Sequence, residues 1–427
     1  MKKSVFFLLL LISLIACKSE KKIKRNETPE ALKLPKGEAI KEADLIEANN
    51  KFSFALFKEL VADENLFVSA YSLCSAMAMV YAGAGSETEK EIAATFYWPA
   101  NSISFHEAMS AYSKKLEYNE KEFQINQANK LYADTSMILF KEFLDINQTK
   151  YKSEAEQIML KNADESANGI NKWVSEKTQK MIPQLLKAED LKDVKSVLVN
   201  AVYFNGSWAN PFNEEASLID TFYLENKEKS SCSYMTERWN SGDADFDIKY
   251  YQDSLFQVLE IPYSKNLGSM IIILPCSDSL GKFADLNSVL KKLSFEQFTK
   301  LLESPKVSEV PLEIKIPKWK QRTAFNLSEQ LEKMGMKSSF QEGVADFKRI
   351  SDSDPKLHLG PILHQSAIEV SEKGTKASAS TAVTTKGETA SAPQDPIYFS
   401  ANHPFIYLIR ENKSGTILFM GQFLKAE

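Results

Sequence analysis

The chain has few side chains able to do chemistry, and its cationic and acidic residues in the long 371–396 stretch stand out among them. Four histidines occur, His106, His358, His364 and His403, and none of His106, His358 or His403 shows the spacing of a metal ligand. A histidine beside a serine could act as general base to a nucleophile, which makes His364 with Ser69 or Ser72 a candidate hydrolase pair. No Gly-x-Ser-x-Gly elbow accompanies them. Residues 371–396 hold no large apolar side chain except Val383, and carry Lys386 and Glu388 in a setting of Ser, Thr, Ala and Gly. A loop of that length without structure of its own is usually functional or disordered. Within it Lys386 is cationic, Glu388 anionic, and Thr384 and Thr385 small.

Composition narrows the classes further. The 427 residues are 44% hydrophobic and 26% charged, as expected of a folded chain. Lys and Arg total 52 against 57 Asp and Glu, so no basic excess recommends nucleic acid as a partner. With only four cysteines and four histidines in 427 residues, a zinc ribbon, a disulfide mini-protein and an iron–sulfur protein are poor readings, and no metal or cofactor is expected.

The N-terminus reads as an address. Lys2 and Lys3 precede a twelve-residue apolar run over 5–16, the length of a signal-peptide core and too short to span a bilayer. The run ends Leu14-Ile15-Ala16-Cys17, which resembles a bacterial lipobox. That resemblance implies cleavage after 1–16, lipid on Cys17, and a membrane-anchored form in the bacterial cell envelope. An outer-membrane lipoprotein, periplasmic or surface-exposed, is expected. Residues 17–37 then form a charged tether ahead of a folded unit over 38–427. Loss of Lys2 and Lys3 moves the formal charge from -5 to -7. Cys74, Cys232 and Cys276 remain; an odd number cannot pair fully within one chain, Cys74 lies in an apolar helical run, and no disulfide is expected.

The elements that must position the loop follow from periodicity. Helices are expected over 38–61, 71–81, 163–177, 280–290, 294–302 and 326–334, and another opens with a Ser86–Glu89 capping box. The 71–81 run is apolar all round and should be buried on every side. Strands are expected over 65–69, 123–132, 197–204, 268–274, 310–316, 362–370, 397–399, 404–410 and 416–423. Helices come first and strands later, with no regular alternation: an α+β chain with large, mostly antiparallel sheets surrounded by helices.

From about Asp44 to Phe423 the sequence resembles the serpins. The residues that carry the resemblance are Asn65-Leu66-Phe67-Val68-Ser69 with Ser72, then Val199-Asn200-Ala201-Val202-Tyr203-Phe204 leading to Trp208-Ala209-Asn210-Pro211-Phe212. Glu372-Lys373-Gly374-Thr375, His403-Pro404-Phe405-Ile406-Tyr407 and Gly415-Thr416-Ile417-Leu418-Phe419-Met420-Gly421 complete it. The chain departs from the family at Ala70, where a proline is usual, and at Lys376, where an acid is usual.

The resemblance implies the serpin fold and a monomer that traps a serine or cysteine protease rather than an enzyme. The protease attacks an exposed reactive-centre loop, here about 372–396, and the cut loop enters sheet A while the acyl-enzyme is still attached. A native form that waits for this must be kinetically trapped. The hinge would comprise Glu372, Gly374, Thr375, Ala377, Ser378, Ala379, Ser380 and Thr381; the shutter Ser69, Ser72, Asn200 and His364; the breach Trp208. In a strand alternate side chains share a face, so Thr375, Ala377, Ala379, Thr381 and Val383 form one small, buriable set. Lys376, Ser378, Ser380, Ala382 and Thr384 form the other. No proline interrupts the segment before Pro393. The family's spacing of fourteen residues after the hinge glycine places the reactive bond at Glu388–Thr389, with Lys386–Gly387 the alternative by side-chain chemistry. A non-inhibitory serpin that binds a partner or is merely cleaved is the competing reading.

Overall fold

The computed structural model describes residues 39–99, 102–153, 155–192, 194–226, 228–242, 246–277, 283–351, 353, 356–375 and 395–426. Three sheets form its frame, here called A, B and C. Sheet A runs Trp319–Asn326, Ile362–Ser371, Ser196–Ser207, Phe123–Asp134, with Asn119–Glu120 and Ala155–Ile158 against the last of these. Sheet B contains Leu66–Val68, Ile417–Phe423, Phe405–Glu411, Gly268–Pro275, Phe256–Pro262, Lys249–Gln252 and Lys306–Val307, paired antiparallel in that order. Sheet C is Ile397–Ser400, Leu312–Pro317, Lys229–Trp239 and Leu218–Tyr223.

The core explains why the sequence reads as it does. The Ser196–Ser207 strand is buried along its length except at Asn205, because sheet A is covered on both faces and needs apolar residues on each. Its inner face rests on the helix Ala70–Tyr81, buried at every residue but Ser75. Ser69 caps that helix, its hydroxyl accepting the Ser72 N–H at 3.1 Å. Phe67 joins it to sheet B, stacking on Phe419 with ring centroids 5.0 Å apart. The outer face carries a second apolar cluster: Val197, Val199, Ala201 and Tyr203 meet Ala167, Ile170 and Val174 of the helix Ala163–Lys177. Those three helical residues recur three and four apart, one stripe toward the sheet.

Local expectations differ from the structure in identifiable ways. The first helix is Glu42–Leu60, shorter than 38–61, and its buried stripe runs through Leu45, Ala48, Phe52, Phe57 and Leu60. Gly85, not Ser86, occupies the N-cap of Ser86–Thr95; the Ser86 hydroxyl is drawn instead to Asp346 Oδ2 at 2.6 Å. Val310 lies outside the Leu312–Pro317 strand, whose Leu312, Ile314 and Ile316 are buried. Cys74 sits in the core, and the described cysteines Cys74, Cys232 and Cys276 are free.

Candidate functional site

One pairing in sheet A breaks the pattern of its neighbours. Ile362–Ser371 and Ser196–Ser207 lie side by side and parallel, from Ile362 opposite Leu198 to Ala367 opposite Tyr203. Beyond those residues the two strands part, and Gly374–Thr375 occupies the opening. Thr375 pairs antiparallel with Val370 on one side and Gly206 on the other, and Gly374 with Ser371 and Ser207. The chain thus turns back at 372–373 and begins a new strand between the two parallel ones.

Each residue at this opening has a physical reason. Gly374 has φ of 140°, and a Cβ there would lie 2.2 Å from the Gly206 carbonyl oxygen. Only glycine permits both that backbone and that approach. Thr375 is fully buried and its hydroxyl is 2.8 Å from the Tyr263 hydroxyl, so its side chain points into the core. Trp208 stacks on Tyr263 with centroids 4.7 Å apart, and its indole N–H donates to the Ser371 carbonyl at 2.9 Å. Glu372 accepts from Lys318 Nζ at 2.8 Å and from the Ser217 hydroxyl. Burial pushes the Glu372 carboxyl up, and those two hydrogen bonds outweigh it, holding the group below its ordinary value. Lys373 pairs with Glu214 at 2.9 Å on the surface. The turn is therefore clamped while Thr375 already lies inside.

Lower down, a polar cluster crosses the seam between the parallel strands. Asn200 and His364 face each other in register, and His364 Nδ1–H donates to Asn200 Oδ1. His364 Nε2 accepts the Ser69 N–H at 3.3 Å, which fixes the tautomer. The Asn200 amide donates to Ser72 Oγ at 2.7 Å, to the Ser72 carbonyl at 3.1 Å and to Asn129. Ser69, Ser72, Asn200 and His364 are all fully buried. Removing any partner strands a buried polar group, at about 1–3 kcal/mol.

This arrangement is a structural tie and does not form a nucleophile–base pair. The Ser69 hydroxyl donates to the Leu418 carbonyl at 2.7 Å, not to His364. Burial lowers the His364 pKa to about 3. The folded value is depressed below the ordinary 6.5, so the neutral ring contributes stability above pH 6.5 and that contribution is lost as pH falls toward 3. Its slope is about 1.4 kcal/mol per pH unit. His364→Gln is expected to flatten the stability curve by that slope between pH 6.5 and 4.5, measured by denaturant melts. Parallel curves for the two proteins would contradict the buried neutral ring. His106 and His403, also lowered by burial, titrate in both proteins and cancel. They are hydrogen-bonded within the chain, His106 to Tyr151 and His403 to the Pro275 carbonyl. Among the described residues no group of His, Cys, Asp and Glu could hold a metal ion.

The sequence-derived site is thus brought together in part. Ser69, Ser72, Asn200 and His364 meet under sheet A, and Trp208, Glu372, Gly374 and Thr375 meet at its opening. Ala377, Ser378, Ala379, Ser380, Thr381, Lys386, Gly387, Glu388, Thr389 and Cys17 lie outside the described residues. The structure adds Tyr263, Lys318, Ser217 and Asn129. Only Asn129 carried a signal, a polar residue in the middle of a strand whose inner face is covered.

Comparison with known proteins places this architecture. The family profile described as Serpin (serine protease inhibitor) matches residues 47–426. The human leukocyte elastase inhibitor is 30% identical over 385 residues, covering 89% of this chain and 98% of that protein. A serpin-like protein of Methanosarcina mazei is 30% identical over 395 residues, 90% of this chain and 88% of the other. The crystal structure of the thermophilic serpin tengpin in its native state superposes with a TM-score of 0.79 at 26% identity, covering 93% of this chain and 97% of that one. Three sheets in this order, a parallel seam with a hinge entering it, and a match over nearly the whole chain lead to one assignment: the protein belongs to the serpin family.

Proposed function

We propose that the protein is an inhibitor of serine or cysteine proteases that traps its target as a covalent acyl-enzyme by drawing the cleaved loop into sheet A. The carrying observation is the register at the seam. His364 faces Asn200 with an offset of 164 in residue number, and Val370 and Gly206, which flank Thr375, have that same offset. A strand continuing from Thr375 would therefore find both neighbours already in register. They need only separate sideways; neither has to slide along its axis. Insertion also replaces one parallel pairing by two antiparallel ones, the somewhat more stable kind. Loop insertion in serpins is itself a standing example of strand addition and of stored strain being released.

The inward direction of Thr375 supports the same reading. Ala377, Ala379, Thr381 and Val383 would follow it inward at every second position. By the same register Thr381 arrives between Asn200 and His364, so the hydrogen bond that ties the seam is the one insertion must break.

The reactive bond is Glu388–Thr389 by the family's spacing from Gly374, with Lys386–Gly387 second by side-chain chemistry. Mass spectrometry of the peptide released on inhibition is expected to show a cut after one of these two. Lys386→Ala and Glu388→Ala, made separately, test the placement. Loss of a charged contact in the protease pocket, about 1.5–3 kcal/mol, lowers the inhibition rate about ten- to a hundredfold. If neither variant changes the rate against a trapped protease, the placement is wrong.

The protein further acts at a membrane, as a bacterial envelope lipoprotein held by lipid on Cys17. The lipobox-like Leu14-Ile15-Ala16-Cys17 and the charged segment after it support this. Two or three acyl chains at ~0.8 kcal/mol per buried methylene give stable anchoring. Cys17→Ser is expected to move the protein from the membrane to the soluble fraction; unchanged fractionation would sink the anchor.

A further inference from the structure

A cavity of about 530 Å³ lies on the outer side of sheet A, between the Phe123–Asp134 strand, the edge strand Ala155–Ile158 and the helix Ala163–Lys177. Its volume is within the range of small-molecule sites. Tyr132, Ile170 and Trp173 supply apolar and aromatic wall, Glu156 and Glu165 supply charge, and no lysine or arginine lines it. Neither the seam nor the hinge uses these residues.

Three of the lining residues already recognise an ammonium. Lys130, only 7% exposed, places Nζ 5.4 Å from the Tyr132 ring centroid and 5.2 Å from that of Trp173. The same Nζ pairs with Glu156 at 2.5 Å. The two rings meet edge to face at 6.2 Å. Lys130 thus compensates Glu156 and leaves the charge of Glu165 on the helix side, where the neutral Asn162 amide donates to it at 3.4 Å. Room is kept on the helix side by Gly169, where an added Cβ would meet no atom within 4 Å. A mid-helix glycine is unfavourable by about 1 kcal/mol relative to alanine.

From this combination we propose that the cavity is a binding site for a small organic cation with a flat apolar body, an aromatic amine in class. The ammonium pairs with Glu165 and the body lies against Trp173, Tyr132 and Ile170. A ring quadrupole and a carboxylate both favour positive charge. Such a ligand bridges the covering helix to sheet A, so it also protects that helix from opening.

The test uses the purified full chain and 2-phenylethylammonium chloride, followed by titration calorimetry, with 3-phenylpropionate as the body of opposite charge. No protease is involved, so the result is independent of the inhibitory reading. Saturable binding of the amine at about 1 mM or tighter is expected, with no binding of the acid. Glu165→Gln, at an exposed position, and Trp173→Ala should each weaken it about tenfold. Gly169→Leu fills the open space and should abolish binding, whereas Gly169→Ala keeps it and controls for helix integrity. Amide exchange across 163–177 should slow when the amine is bound. The proposal is overturned if the wild-type chain takes up no amine at 10 mM, about tenfold above that expected constant. It is equally overturned if the acid binds as well as the amine, or if Glu165→Gln and Gly169→Leu bind like the wild type.

Discussion

Thr375→Arg is expected to convert the inhibitor into a substrate: the target protease cuts the loop and leaves, and the covalent complex disappears. Thr375 is fully buried, with its hydroxyl on Tyr263 and its backbone between Val370 and Gly206. An arginine there must either bury an unpaired guanidinium, at several kcal/mol, or keep the hinge out of the sheet. A barrier raised by about 4 kcal/mol slows insertion about a thousandfold, enough for deacylation to win. Because Thr375 sits at the end of the ladder, the variant still folds, and its melting curve serves as the control. Thr375→Ser keeps the hydroxyl and should keep the complex. An undiminished yield of complex from Thr375→Arg contradicts the insertion reading.

The second large effect is thermal. Cleavage within the loop by any protease that is not trapped should raise the melting temperature by about 10 °C or more. Insertion from Thr375 to about Val383 gives each new residue backbone partners on both sides, at about 1 kcal/mol per hydrogen bond and about 10 kcal/mol in all. The unfolding entropy of a chain this long converts each kcal/mol to about 1 °C. On the proposed reading the parallel seam of the native form is a metastable pairing, held by the Asn200–His364 bond and by the Glu372–Lys318 clamp. Equal melting temperatures before and after cleavage favour the non-inhibitory alternative, in which the loop is cut and stays out.

The sequence shows those elements whose interactions are local. The Ser196–Ser207 strand announces itself as a continuous apolar run because both its faces are covered. The helix Ala163–Lys177 matches its periodicity to the residue, with Ile170 and Val174 buried. In sheet C, where Leu312–Pro317 and Ile397–Ser400 fall close to the expected spans, Leu218–Tyr223 carries no such signal: it is an edge strand with Ile219 77% exposed, so no alternation marks it. In Trp319–Asn326 the inward positions include Gln321, which bonds the Tyr407 hydroxyl and so breaks the apolar period. The helices Ser102–Lys115 and Lys141–Tyr151 are mostly polar; among the described residues of the latter only Phe143 and Asn147 are buried.

At the site the same division holds. Gly374 and Thr375 are placed by the resemblance of Glu372-Lys373-Gly374-Thr375 to the serpin hinge, and the inward face beginning at Thr375 agrees with its contact to Tyr263. The partners of Glu372 could not, since Lys318 and Ser217 lie 54 and 155 residues away and approach only through the meeting of sheets A and C. The register shared by the hinge and the seam is likewise a property of three strands together, and no segment of sequence contains it.

Trapping requires that the cut loop enter the sheet fast enough to hold the protease. It is tested most directly by incubating the wild-type chain with a panel of serine and cysteine proteases and resolving the products after boiling in SDS. A species at the summed mass of inhibitor and protease, absent with a protease whose nucleophile is blocked, is the predicted result. Cleavage of the loop by every active protease, with no such species at any ratio, contradicts it.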